Sequence, residues 1–195
     1  PDASSTCEVL YSLMEDPFVN RAVAECLYTG IVHDTGVFKH SNTKEETMRI
    51  AGRLITKGAD PSYIIDETFY KKTFAQNKAL ARALDTAELW LDGAVIGSVI
   101  TEKDFEELGI GSGDLDGIVD QLRVTDGVEA AVFLYEAPEG KCKVSMRANG
   151  SVDVSRIARE FGGGGHVKAA GCTVSGGWRE IIDQIAGRIA EQLEH

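Results

Sequence analysis

Residues 141–173 read KCKVSMRANGSVDVSRIAREFGGGGHVKAAGCT. From Lys141 to Arg147 the residues alternate. Cys142, Val144 and Met146 share one face, and Lys143, Ser145 and Arg147 share the other, the period of a half-buried β-strand. Val154, Ile157, Ala158 and Phe161 then recur at helical spacing, with Asp153 placed as N-cap and Val152 and Ile157 placed as a hydrophobic staple. The helix is expected to end where Gly162 to Gly165 begin, directly before His166. A run without Cβ atoms lets backbone approach a ligand closely, and consecutive N–H groups in such a loop form an anion-binding nest. His166 adds a hydrogen bond, and a charge when protonated. The plainer reading is a helix C-cap followed by a loop. Arg147 is expected at a strand end, where a guanidinium holds a phosphate bidentately. Within the stretch Lys141, Lys143, Arg147, Arg156, Arg159 and Lys168 face only Asp153 and Glu160, while the chain as a whole carries −11. A basic island on an acidic protein suits a local anion site better than a general polyanion surface.

Outward from this stretch, 195 residues with 43% hydrophobic and 26% charged side chains suit one large or two small globular domains. No apolar run is long enough to span a membrane, and no secretory signal is visible, so no membrane partner is expected. Cys7, Cys26, Cys142 and Cys172 make no CxxC pair and no zinc spacing, which points to reduced thiols and a cytoplasmic location. The net charge argues against a large duplex-DNA footprint. The chain opens on Pro1-Asp2 and closes on Leu193-Glu194-His195, which resembles a cloned tag, so it is read as part of a longer protein.

The first part is expected to be helical. Ser4, Ser5 or Thr6 caps a helix carrying Val9, Leu10, Leu13 and Met14. A second helix runs from about Val19 to Tyr28, and Thr29 to Gly36 forms a polar junction around Asp34. Thr43 with Glu46 reads as a capping box for a helix carrying Met48, Ala51, Leu54 and Ile55. Asp34 is either a turn aspartate or a ligand for a hard metal; His33 and His40 read as surface histidines. The later part alternates strands with helices. The expected organisation is α/β: a helical part over 1–70, a linker helix over 71–87, a smaller α/β domain with a mixed sheet over 88–192, and the tail 193–195.

VSMRANGSVDVSRIAREFGGGGHVKAAGCTV is similar to the signature of the DHH-associated C-terminal domain of the DHH-type phosphoesterases. Within that family it looks most like the nanoRNase and pAp-phosphatase branch. ASSTCE and TGIVHDTGVFKHSNTKEETMRIAGRLITKGADP resemble the last part of the catalytic domain in the same family. The resemblance implies hydrolysis of short oligonucleotides or nucleoside bisphosphates with two Mn2+ ions. Asp34 would be one metal ligand, and Arg147, Gly163, Gly164, Gly165 and His166 would bind substrate in a cleft between two domains. The family's Asp-x-Asp and Asp-His-His motifs would lie ahead of Pro1 and no Asp-His-His triplet occurs here, so the chain is expected to be a catalytically incomplete C-terminal portion. The residue before the DTG aspartate is commonly Thr and here is His33. Alternatives are a nucleic-acid-binding module similar to the end of alanyl-tRNA synthetases, or the same family acting on cyclic dinucleotides, single-stranded DNA or polyphosphate. A homodimer is left open. If the glycine run needs positive φ or close approach, Gly164→Val is expected to harm binding more than Arg147→Ala or His166→Ala.

Overall fold

The computed structural model describes residues 3–194. Backbone contacts divide the chain after Lys72 into two units. Pro1, Asp2 and His195 lie outside the described residues, and with them part of the expected terminal tail; Leu193 closes the last helix.

In the first unit four helices pack together: α1 (Thr6–Leu13), α2 (Arg21–Asp34), α3 (Glu45–Thr56) and α4 (Pro61–Ile65). Asn20 caps α2 by accepting from the Val23 N–H at 3.1 Å. The expected end of this helix near Tyr28 is corrected, because α2 runs on through Gly30 to Asp34. Ile31 and Val32 are fully buried in the core with Ala24 and Leu27, and that burial outweighs the propensity cost of Gly30. Gly30 has a packing role: a Cβ there would lie 2.2 Å from the Cys7 Sγ, so its absence lets α1 close onto α2.

The buried faces of α1 and α3 also differ from the apolar stripes in the sequence. Leu13 is 78% exposed and Met48 53%, while Glu8 and Thr47 are buried. The reason is a polar node. The Glu8 carboxylate accepts from the Ser4 N–H at 3.0 Å, from the Ser4 hydroxyl, and from the Thr47 hydroxyl at 2.9 Å. The expected Thr43–Glu46 capping box is absent. Thr47 Oγ1 instead accepts from the Lys44 N–H at 3.2 Å, and α3 starts at Glu45. Burial raises the Glu8 pKa, but hydrogen bonds from Ser4 and Thr47 and the charge of Lys44 outweigh it, so the group titrates below the ordinary range.

The second unit is a six-stranded mixed sheet with helices on both faces. In chain order it contains α5 (Phe74–Asp85), β1 (Glu88–Trp90), β2 (Val95–Ile100), α6 (Glu102–Leu108), α7 (Ile118–Arg123), β3 (Ala130–Ala137), β4 (Lys141–Ala148), α8 (Val154–Glu160), β5 (Gly164–His166), β6 (Ala169–Ser175) and α9 (Trp178–Leu193). The strand order is β1-β2-β3-β4-β6-β5; β2 and β3 pair in parallel and every other neighbouring pair is antiparallel. Alternation assigns the residues to layers. Val132, Leu134, Cys142, Val144 and Met146 face α8 and α9, where Ile157, Ile181, Ile182 and Ile185 meet them. Ile96, Ile100, Ala131 and Phe133 face α5 and α7, where Ala79, Ala83, Ile118 and Leu122 meet them. The helix expected over 71–87 runs Phe74–Asp85 and buries Ala79 and Ala83 in this second unit. Thr73 and Gln76 form its capping box.

A carboxylate whose pKa is lowered by folding contributes stability above its unfolded value, and that contribution is lost as pH falls through the folded value. Glu8→Gln is therefore expected to cost the first unit about 1.5–3 kcal/mol at neutral pH. It is also expected to flatten the loss of stability below about pH 4.3. Amide hydrogen exchange in α1 and α3 reads this effect. Both tryptophans, Trp90 and Trp178, lie in the second unit, and their fluorescence is expected to stay unchanged.

Candidate functional site

The alternation of β4 places Arg147 on the same face as Lys143 and Ser145, with Cys142, Val144 and Met146 turned into the core. Arg147 lies opposite Ala169 on β6, and Ala169 lies opposite His166 on β5. Directly opposed residues share a face, so Arg147, Ala169 and His166 form one row across three strands, about 10 Å from end to end at ordinary strand spacing. The adjacent row is Ser145, Gly171 and Gly164, and beyond it Lys143 pairs with Thr173. Helices cover β2 and β3 on this face, whereas Lys143, Thr173, Gly164 and His166 are exposed. The result is a shallow floor without Cβ atoms at Gly164 and Gly171, rimmed by a guanidinium, an imidazole, an ammonium and two hydroxyls.

Arg147 is held before any ligand arrives. Its Nε donates to the Asp120 carboxylate on α7 at 3.2 Å, and its NH1 donates to the Met146 carbonyl at 3.2 Å. The side chain is 30% exposed, and three of its five N–H donors remain for a ligand. Asp120 was not legible as a site residue, since nothing near it in sequence pairs it with β4. His166 is exposed on the edge strand.

The glycine run departs from the expected nest. Asp153 does cap α8, accepting from the Ser155 and Arg156 N–H groups at 2.9 and 3.2 Å. Its pKa is lowered, chiefly by the Ser155 hydroxyl; burial opposes this, and the two N–H groups and the charge of Arg159 add to the lowering. At the other end the Gly162 and Gly163 N–H groups donate to the Arg159 and Ala158 carbonyls at 3.1 and 2.8 Å, and Gly162 takes φ +73°. Half of the run is thus consumed in closing the helix. The other half is β5, an edge strand paired to β6. The tight positions are Gly163 and Gly165: a Cβ on either would fall 2.2 Å from the Gly171 carbonyl oxygen or 2.5 Å from that of Ala169. Gly164, expected to be the most sensitive, has open space around it and no positive φ. It contributes free surface.

The basic island is also dispersed. Arg156 and Arg159 ride on α8, which packs on the opposite face of the sheet from Arg147. Lys168 donates to the carbonyls of Asn149, Gly150 and Val152 and ties down that loop. Lys141 pairs with Glu139 at 2.6 Å. Arg147, Lys143 and His166 are what remain on the open face.

In the first unit, Asp34 is the exposed last residue of α2, and its carbonyl accepts from Asn42 Nδ2 at 3.1 Å. His33 is a satisfied surface histidine, 2.9 Å from Thr68 Oγ1 and edge-on to Phe69. Among the described residues no three His, Cys, Asp or Glu side chains come together as a metal site. The residues present therefore do not fit a two-manganese centre, since Asp34 supplies a single carboxylate.

With this geometry in hand, the family follows. The DHHA1 domain matches residues 92–194, which contain the whole platform. The chain belongs to the DHHA1 domain family. It is 30% identical over 195 residues to the bifunctional oligoribonuclease and PAP phosphatase NrnA of Thermus thermophilus, covering 99% of this chain and 57% of that protein. It is 32% identical over 198 residues to the protein of the same name from Bacillus subtilis, covering 98% and 60%. A crystal structure of an exopolyphosphatase-related protein from Bacteroides fragilis superposes with a TM-score of 0.91 at 26% identity, over 100% of this chain and 59% of that one. The chain thus spans about 57–60% of the length of these relatives. Among the described residues no helix is long and apolar enough to cross a membrane.

The packing distances separate the glycines. Gly163→Ala is expected to lower the second unit's stability by about 1–3 kcal/mol through overpacking, whereas Gly164→Ala stays within about 0.5 kcal/mol of the parent. Urea unfolding followed by tryptophan fluorescence measures both, and equal midpoints would contradict the assignment.

Proposed function

We propose that the second unit binds the phosphate-bearing end of a short oligonucleotide or nucleoside bisphosphate, on behalf of metal-dependent phosphoester hydrolysis. The observation that carries this is the row Arg147–Ala169–His166 beside the Cβ-free floor of Gly164 and Gly171. Arg147 offers a planar pair of donors to phosphate oxygens. Asp120 keeps the guanidinium over the sheet and partly offsets its charge, so that binding stays reversible. His166 donates from the far end of the row. Gly163 and Gly165 hold β5 close against β6 and so fix where His166 stands.

The acidic chain, at −11, suits a ligand with few phosphates over a long polyanion. Asp34 is proposed to contribute one carboxylate to a manganese centre that the described residues do not complete. No hydrolytic step is assigned to the side chains present. A cytoplasmic setting is proposed with this reading, from four scattered cysteines that make no CxxC pair.

Calorimetric titration with a 5′-phosphorylated dinucleotide tests the platform. Arg147→Ala is expected to weaken binding by about 1.5–3 kcal/mol, roughly ten- to a hundredfold, with the fold retained. His166→Ala is expected to weaken it comparably. Equal affinity in the parent and both variants would reduce the platform to a structural surface.

A second test concerns chemistry. The 195-residue chain is expected to show no manganese-stimulated release of phosphate from pAp. Turnover near 1 s⁻¹ or above, the range of ordinary enzymes, would overturn the single-carboxylate reading of Asp34.

A further inference from the structure

Arg147 shares its carboxylate with a second guanidinium. Asp120 Oδ1 lies 3.2 Å from Arg147 Nε and 3.7 Å from Arg123 Nε. Asp120 and Arg123 stand one turn apart on α7, so they project from the same side of that helix. Arg123 is also fixed from its other end, where NH1 donates to Asn149 Oδ1 at 2.9 Å. Asn149 Nδ2 in turn donates to the Arg123 and Val128 carbonyls at 3.1 and 2.7 Å. Both amide hydrogens are thus committed, and the amide oxygen must face Arg123. This contact takes one of the five N–H donors of Arg123. Its side chain is 26% exposed, close to the 30% of Arg147.

We propose that Arg123 is a second phosphate ligand, and that together with Arg147 it selects a terminal phosphomonoester over a phosphodiester. This rests on the reading of Arg147 as a phosphate-binding residue. The separation fits. Both distances run to one oxygen, so the two Nε atoms are at most about 7 Å apart, the spacing of two donors that flank one phosphate through hydrogen bonds of about 2.8 Å. The charge fits as well. Two guanidiniums against one carboxylate leave about +1, and a monoester brings close to −2 at neutral pH where a diester brings −1. A monoester also offers three free oxygens, enough for both planar forks, whereas the second ester bond of a diester takes the oxygen that one fork needs. Tying down the loop at Asn149 does not by itself call for a guanidinium. Lys168 already holds that loop through the Asn149 and Gly150 carbonyls, and a single neutral donor would satisfy Asn149 Oδ1.

The test compares 5′-phosphorylated diadenylate with the same molecule carrying its terminal phosphate as the methyl ester, by calorimetry on the full chain. A buffer of about pH 8 keeps the free monoester dianionic, since its second pKa is about 6. The parent is expected to bind the uncapped form about tenfold more tightly. Arg123→Gln is expected to cost the uncapped form about tenfold and to bring the two affinities together. Arg123→Lys keeps the charge without the fork and is expected to retain part of the difference. Equal binding of the two forms by the parent, or a folded Arg123→Gln chain that keeps the tenfold preference, would overturn the assignment. Loss of both forms in Arg147→Ala would then leave the platform standing. If Arg123→Gln does not fold, the guanidinium resonances of the parent decide. Those of Arg123 and Arg147 are expected to shift together when the uncapped dinucleotide is added, and a shift of Arg147 alone would overturn the role of Arg123. Failure of the parent to bind either form would overturn platform and second ligand alike.

Discussion

Everything on the open face depends on the register of β4. This strand is hydrogen-bonded on both sides, to β3 and to β6, and its side chains alternate between a sealed core and solvent. A slip of one residue would drive Arg147 into the layer of Val144 and Ile157 and expel Met146, which is fully buried. The cost of burying a guanidinium without a partner is large, so the apolar residues of the core fix the positions of the polar ones outside it. The function proposed for Arg147 is thus a consequence of where Cys142, Val144 and Met146 must go.

The second constraint is the approach of β5 to β6. An edge strand held this closely cannot carry Cβ atoms where Gly163 and Gly165 pass the Gly171 and Ala169 carbonyls. One part of the run closes α8, another fits the strand, and the residue between them, Gly164, leaves open surface beside His166. A single glycine-rich segment therefore serves helix termination, sheet pairing and ligand access at successive positions.

The first unit is held by different means. Its small core is completed by a carboxylate, Glu8, satisfied by donors from Ser4 and from Thr47 on α3. A buried charge of this kind is tolerable only when its hydrogen bonds are made. That requirement explains why α1 leaves Leu10 and Leu13 exposed: the helix is rotated to deliver Glu8, not its leucines, to the interior.

Local pattern was enough to locate β4, α8 and the Asp153 cap, because alternation and helical spacing are properties of neighbouring residues. The glycine–histidine segment and the DTG aspartate were likewise visible as candidate residues. What the sequence could not decide were features that depend on partners distant along the chain. Gly30 was read as part of a polar junction after α2 because its fit against Cys7 is a contact across more than twenty positions. Glu8 and Thr47 were passed over because they pair across thirty-nine. The basic residues of 141–173 looked like one island until the sheet put Arg156 and Arg159 on one side and Arg147 on the other. Asp120 and Arg123 joined Arg147 only through helix packing. The sequence by itself determined where β4 and α8 lie and which residues are candidates for chemistry; the tertiary structure alone decided which of those residues share a surface, because that depends on register and packing between segments, which no local spacing encodes.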